Sequence, residues 1–282
     1  MKTIKLFRRK IILVVFLLIA MWCQSIAQDT GVNIPPSSQQ LIYGKIIDEN
    51  GNPLIAQIQV WHYPLTRVVF SFGELKKGER TDNLIDMVYS TERGYFSTRV
   101  PADTIALIVS KGPEWSLEKK ILVINPKEFN GIECNTTLKR LYNLGKLGWF
   151  AGDVHHHSIF SDGNQTPSVI AHAMNGVGLS WGILTDHNSF TQTTEWIGNK
   201  SNDFIPISGC EISTEPSHVS ELNGYGHLNQ SFISRMNGKD VLNPNIWARE
   251  VLDNHKDVQI LIDSTHIQNG FFAINHPFQS WD

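Results

Sequence analysis

Two textures of hydrophobic patterning divide the chain and constrain its fold more than any other feature. From Gln40 to about Leu141, apolar and polar residues alternate over short runs: LIYGKIID, AQIQVWHY, MVYSTERGYFSTRV, TIALIVSKG and KKILVI. Turn signals such as ENGNP and ERG separate them. Period-two alternation bounded by Asn-Gly, Gly and Pro is the pattern of half-buried antiparallel strands, so residues 40–141 are expected to form a small β-sandwich. From about Lys146, strand-like and helical runs alternate instead. WFAGDVHHH, SWGILTDHN, FIPISGCEIS and FFAINHP read as strands, and TPSVIAHAMNGVG and NIWAREVLDNHKD as helices. The first helix has Thr166 as N-cap, Pro167 in its first turn and Gly176 or Gly178 near its stop. This alternation predicts an α/β architecture with a parallel sheet or barrel from residue 146 to residue 282.

The amino-terminal stretch belongs to neither texture. MKTIKLFRRK carries five positive charges, IILVVFLLIAMW is an unbroken apolar run, and Ser25 and Ala27 supply small residues at signal-peptidase spacing. Residues 1–27 therefore read as a secretory signal peptide, followed by a polar leader at 28–39. An apolar run of 12 residues falls short of the about 20 that a membrane-spanning helix needs. Cys23 follows Trp22, where a lipid-attachment signal needs a small residue. Cleavage removes five of 24 Lys+Arg and none of 27 Asp+Glu, leaving 19 against 27, a formal charge of −8. A secreted or periplasmic acidic protein is expected, with no membrane span after cleavage and no nucleic acid as partner. Cys134 and Cys210 are too few for a disulfide framework. They either form one disulfide or are small buried apolar residues.

Ten of the eleven histidines lie between His155 and His276. Four strand-like runs end in a potential metal ligand: His155 with His157, then His187, then Glu211, then His276. In parallel α/β folds the carboxyl ends of strands converge on one face, so ligands distant in sequence can meet there. Strict alternation along a strand puts Asp153, His155 and His157 on one face, and Val154 and His156 on the other. His155 and His157 can then hold one ion, with Asp153 as the outer partner that orients them. Asp162 sits in the turn SDG, where Gly163 lets the chain double back and bring a carboxylate to the same ion. His156 is expected to point away. His62, His172, His255, His266, Lys111 and Arg140 read as ordinary strand, helix or surface positions. His218, in the polar loop between two candidate ligands, either reaches substrate or is a plain loop residue.

DVHHHSIFSDG, TDHN (185–188), GCE (209–211), GHLN (226–229) and NHP (275–277), in this order, resemble the motifs of the PHP superfamily, named for polymerase and histidinol phosphatase. LGWFAGDVHHHS and the preceding sandwich more specifically resemble its CehA/McbA-type branch. The order G-x-I-x-D-x-x-G-x-P-L, strand, G-Y-F resembles carboxypeptidase-regulatory-like modules, which are usually accessory. The resemblance implies a distorted (β/α)7 barrel preceded by the sandwich. It makes His155, His157, Asp162, His187, Glu211, His227 and His276 the metal ligands, with Asp186 beside them as an outer carboxylate. It implies two or three divalent ions (Zn, Mn or Fe), with His155, His157 and Glu211 acting through a metal-bound hydroxide on a small ester substrate.

The family's usual Asp-x-His pair is not found after His276, and about five barrel strands can be counted, so the sequence is expected to be a fragment of a longer protein. Hydrolysis of a phosphoester is the leading expectation. Hydrolysis of a carboxylic ester, carbamate or amide is the alternative in the same fold. A non-catalytic protein that binds glycan or a surface partner through its sandwich is the alternative of a different class.

Overall fold

The computed structural model describes residues 39–64, 84–126, 131–213, 227–231, 259, 262–263 and 265–275; of 213 and 227–230 it describes the backbone alone. The signal peptide, the leader up to residue 38, the helix expected at 245–257, His218, His255 and His276 lie outside the described residues, while Gln39, the last residue assigned to the leader, begins the first strand. No described helix is long and apolar enough to cross a membrane.

The alternating texture folds as two packed sheets. In the first, β1 (Gln39–Asp48) lies between β4 (Tyr95–Pro101) and the short β7 (Ile132–Glu133) and β8 (Thr136–Leu138). The second has the order β3 (Leu84–Tyr89), β2 (Gln57–His62), β5 (Thr104–Ser110), β6 (Glu118–Val123), antiparallel throughout. Every second residue of β1 and β4 is buried. Ile42, Ile46, Phe96 and Val100 thereby meet Ile58, Val60, Ile105, Leu107 and Val109 of the other sheet in one core. Parallel pairing of β1 with β7 and β8 departs from the antiparallel expectation.

From residue 152 a five-stranded sheet follows, in the order β13 (Phe271–Asn275), β12 (His227–Ser231), β11 (Ile205–Ser213), β10 (Trp181–Leu184), β9 (Gly152–His156). β9, β10 and β11 are parallel, as the strand–helix alternation predicts. β12 and β13 run antiparallel to their neighbours. Among the described residues this is an open mixed sheet, and a (β/α)7 barrel is not what they form. Between β11 and β12 stand 13 residues with Pro216, Asn223-Gly224 and Gly226, turn chemistry rather than the apolar period of a crossover helix, and an antiparallel return suits such a connection.

Helix α1 (Pro167–Gly176) begins as its sequence dictates: Thr166 is the N-cap, its side chain accepting from the Val169 N–H, and Pro167 occupies the first turn. Ile170, Ala171 and Met174 bury against Leu184, Trp196 and Phe204, which seats the helix beside β10. α2 (Thr193–Ile197) contributes Trp196, whose indole N–H donates to the Ile207 carbonyl of β11.

The far end of α1 is pressed against the sandwich. Lys111 Nζ donates to Ile55 O at 2.8 Å and to Asn175 O and Oδ1 at 2.9 Å each, and burial lowers its pKa to about 8. His172 is not on a free helix surface, as its position suggested: its Nε2 lies 2.8 Å from Ser90 O and its ring meets Tyr89 edge-on. Gly112 sits in the same seam at φ 74, and a Cβ there would run into the Val177 carbonyl oxygen. Gly112→Ala is therefore expected to cost about 2 kcal/mol or more, read as a lower urea midpoint of the whole chain. Cys134 is buried in the sandwich core and Cys210 in β11; both are free thiols.

Candidate metal centre

The carboxyl ends of β9, β10 and β11 carry the candidate ligands to one place because the three strands are parallel and adjacent. The chain beyond β10 stays in register with β11: His187 bridges to Glu211, Asn188 N donates to Glu211 O, and Glu211 N donates to Asp186 O. The Glu211 side chain is fully buried, and three imidazoles surround it. His155 Nε2 lies 3.6 Å from Oε1, His157 Nε2 2.9 Å from Oε2, and His187 Nδ1 3.2 Å from Oε2. A buried carboxylate with three nitrogens aimed at it is an arrangement that a cation stabilises.

Two triads have donor atoms within 4.8 Å of one another: His155, His157 and Glu211; and His157, Asp162 and His187. A neutral imidazole offers one lone pair, so His157 cannot serve both. Its Nδ1 lies 2.6 Å from Asp162 Oδ1, which fixes the ring as an Nδ1–H donor and leaves Nε2 to face Glu211. The buried Nε2 stands 2.9 Å from Glu211 Oε2. The donor set therefore fits a divalent ion held by His155, His157 and Glu211 beside His187. Imidazole and carboxylate without thiolate suit Zn, Mn or Fe.

Asp162 is brought to the cluster as the SDG turn predicts, but in the described geometry it meets His157 Nδ1, with its Oδ2 3.6 Å from His187 Nε2. The turn depends on Gly163, where a Cβ would collide with the His157 carbonyl and stand 2.8 Å from Ser158 N. Asp186 anchors the same loop. Fully buried, it accepts from Ser158 N, Ser158 Oγ and Ser161 Oγ, all at 2.7 Å.

Asp153 takes a different partner from the one strict alternation assigns. β9 and β10 pair Asp153 with Gly182 but His156 with Leu184, so β9 has one residue more over this stretch. The bulge resets the alternation. Asp153 Oδ2 lies 3.3 Å from His156 Nδ1, and Oδ1 accepts the His155 N–H at 3.0 Å. His227 places its backbone in β12 opposite Asn275; its side chain, like all of His276, lies outside the described residues. Two further residues of the TDHN and NHP motifs, Thr185 and Asn275, join the site without having been expected there. Thr185 Oγ1 lies 3.0 Å from His155 Nδ1, and Asn275 Nδ2 donates to Glu211 Oε1 at 2.8 Å.

In the metal-free chain, burial pulls the His157 pKa down, but Glu211 and Asp162 outweigh it and raise it to about 9. Burial pushes the Asp162 pKa up, but its hydrogen bond to His157 together with the positive charges of His157 and His187 more than offsets that and leaves it lowered. The folded state thus holds the His157 proton more tightly than the unfolded chain. That stabilisation is complete below the ordinary 6.5 and disappears as pH rises through about 9. Asp162 contributes above its ordinary 3.8 and loses its contribution as pH falls. The urea midpoint of chelator-treated protein should accordingly fall between pH 7 and pH 10, and His157→Gln should shrink that fall.

No family model matches the chain, and no curated protein matches it. Among solved structures, it is similar to a two-domain protein containing a predicted PHP-like metal-dependent phosphoesterase from Bacteroides vulgatus. Identity is 24%, the match covers 47% of this chain and 36% of that one, and the TM-score is 0.32. The 3-chlorocatechol 1,2-dioxygenase of Rhodococcus opacus matches at 14% identity over 36% of this chain and 60% of its own, TM-score 0.26. A streptococcal ancillary pilin matches at 9% identity over 37% of this chain and 33% of its own, TM-score 0.25.

Proposed function

We propose that the chain is the metal-site portion, with its sandwich, of an exported metal-dependent hydrolase of PHP type, acting on a phosphoester. One observation carries this reading: the fully buried Glu211 carboxylate ringed by His155, His157 and His187. Asp162 and His187 extend the donor set, and the motif order adds His227 and His276. A divalent ion held there supplies Lewis acidity and a water acidic enough to be a nucleophile near neutral pH. The chain's own residues do the rest. Glu211 supplies the central negative charge, Asp162 holds the tautomer of His157, and Asp186 fixes the loop that carries Asp162.

The ligand-bearing segments 152–163, 185–189 and 207–213 contain no Lys or Arg. That favours, as the second reading, hydrolysis of a carboxylic ester, carbamate or amide, which needs no cationic clamp on a phosphate. Turnover of p-nitrophenyl phosphate and p-nitrophenyl acetate, each with and without chelator, separates the readings. The proposal expects chelator-sensitive turnover of the phosphate ester. Chelator-sensitive turnover of the acetate alone transfers the assignment to the second reading. Turnover of neither ester leaves a non-catalytic sandwich-borne binder.

A further inference from the structure

We infer that Thr185 is the positioning residue for His155, making available the imidazole tautomer whose Nε2 lone pair faces Glu211; this rests on the metal-centre reading above. Thr185 directly follows β10 and is fully buried. Its hydroxyl has three neighbours: the His156 N–H, which donates to it at 3.3 Å, the His156 carbonyl at 3.2 Å and His155 Nδ1 at 3.0 Å. A hydroxyl offers one hydrogen and two lone pairs. The backbone N–H can only donate, so it takes one lone pair; the hydrogen goes either to the His156 carbonyl, which also accepts from Thr185 N at 2.7 Å, or to His155 Nδ1. With the hydrogen on the carbonyl, the remaining lone pair is satisfied by a proton on His155 Nδ1, and this is the arrangement we assign. Nε2 then presents its own lone pair toward Glu211 Oε1, 3.6 Å away.

Asn275 pulls the other way. Its Nδ2 donates to Glu211 Oε1 and stands 3.2 Å from His155 Nδ1, a contact that an unprotonated Nδ1 accepts. His155 is thus poised between two tautomers. Thr185 favours the one that can bind a cation through Nε2, and Asn275 favours the one that cannot.

The test compares Thr185→Val, which keeps the shape without the hydroxyl, with Thr185→Ser, which keeps the hydroxyl. Zinc affinity is measured by chelator competition, and the His155 tautomer of the metal-free chain by long-range proton–nitrogen NMR. Thr185→Val should bind zinc about 10–100-fold more weakly, the range for losing a partner of a metal-bound histidine, while Thr185→Ser matches wild type. The Nδ1–H population of His155 should fall in Thr185→Val alone. Zinc affinity and tautomer both unchanged in Thr185→Val overturn the inference. A wild-type chain that binds no zinc overturns the metal reading, and the tautomer comparison then decides the role of Thr185 by itself: a fall in Thr185→Val upholds it, no change ends it.

Discussion

Replacing Glu211 with glutamine should remove the bound metal and reduce any chelator-sensitive turnover by more than about a hundredfold. The lower bound follows from outer-shell partners of metal ligands, whose loss already costs about 10–100-fold in affinity or activity. Glu211 is more central than such a partner: its two oxygens face His155, His157 and His187 at 3.6, 2.9 and 3.2 Å. Glutamine keeps the volume and the Asn275 contact but removes the charge that offsets a cation in a buried site. The fold is expected to survive, because the glutamine carbonyl still accepts from Asn275 Nδ2 and Asp162 still partners His157 Nδ1. Metal content and far-ultraviolet circular dichroism of the purified variant check both halves.

Asp186→Ala should be the most destabilising single change in the site. Three donors converge on a buried carboxylate at 2.7 Å, and Ser158, which supplies two of them, is itself buried. Hydrogen bonds to a charged group are worth about 1.5–3 kcal/mol each, but they are not additive, and removing the acceptor leaves buried donors unsatisfied. A loss of about 3 kcal/mol in urea unfolding is expected, together with weaker zinc binding, because the loop from Ser158 to Gly163 would no longer hold Asp162 against His157. Asp186→Asn, which keeps the shape and one acceptor oxygen, should lie between the two.

Much of the candidate site was legible because its residues sit at strand ends, and adjacent parallel strands bring such ends together whatever lies between them. His155, His157, His187 and Glu211 meet for that reason. The helix over Pro167–Gly176 was legible from Thr166 and Pro167, local signals that need no tertiary information. Three features depend on the third dimension. The bulge in β9 turns Asp153 to His156, and no pattern in DVHHH announces an extra residue. The competition of two triads for His157 appears only with distances. The seam between α1 and the sandwich joins Lys111 to Asn175 and His172 to Ser90, pairs 64 and 82 positions apart, and each of these residues reads as a surface residue on its own. The expected barrel is not shown among the described residues, where β12 and β13 pair antiparallel beside the three parallel strands.

The most direct test of the central claim is the divalent metal content of the purified chain, measured by elemental analysis for wild type and Glu211→Gln side by side. At least one stoichiometric Zn, Mn or Fe ion in the wild type and none in the variant is the predicted result. A metal-free wild type after growth in metal-supplemented medium, or equal metal in both proteins, would contradict it.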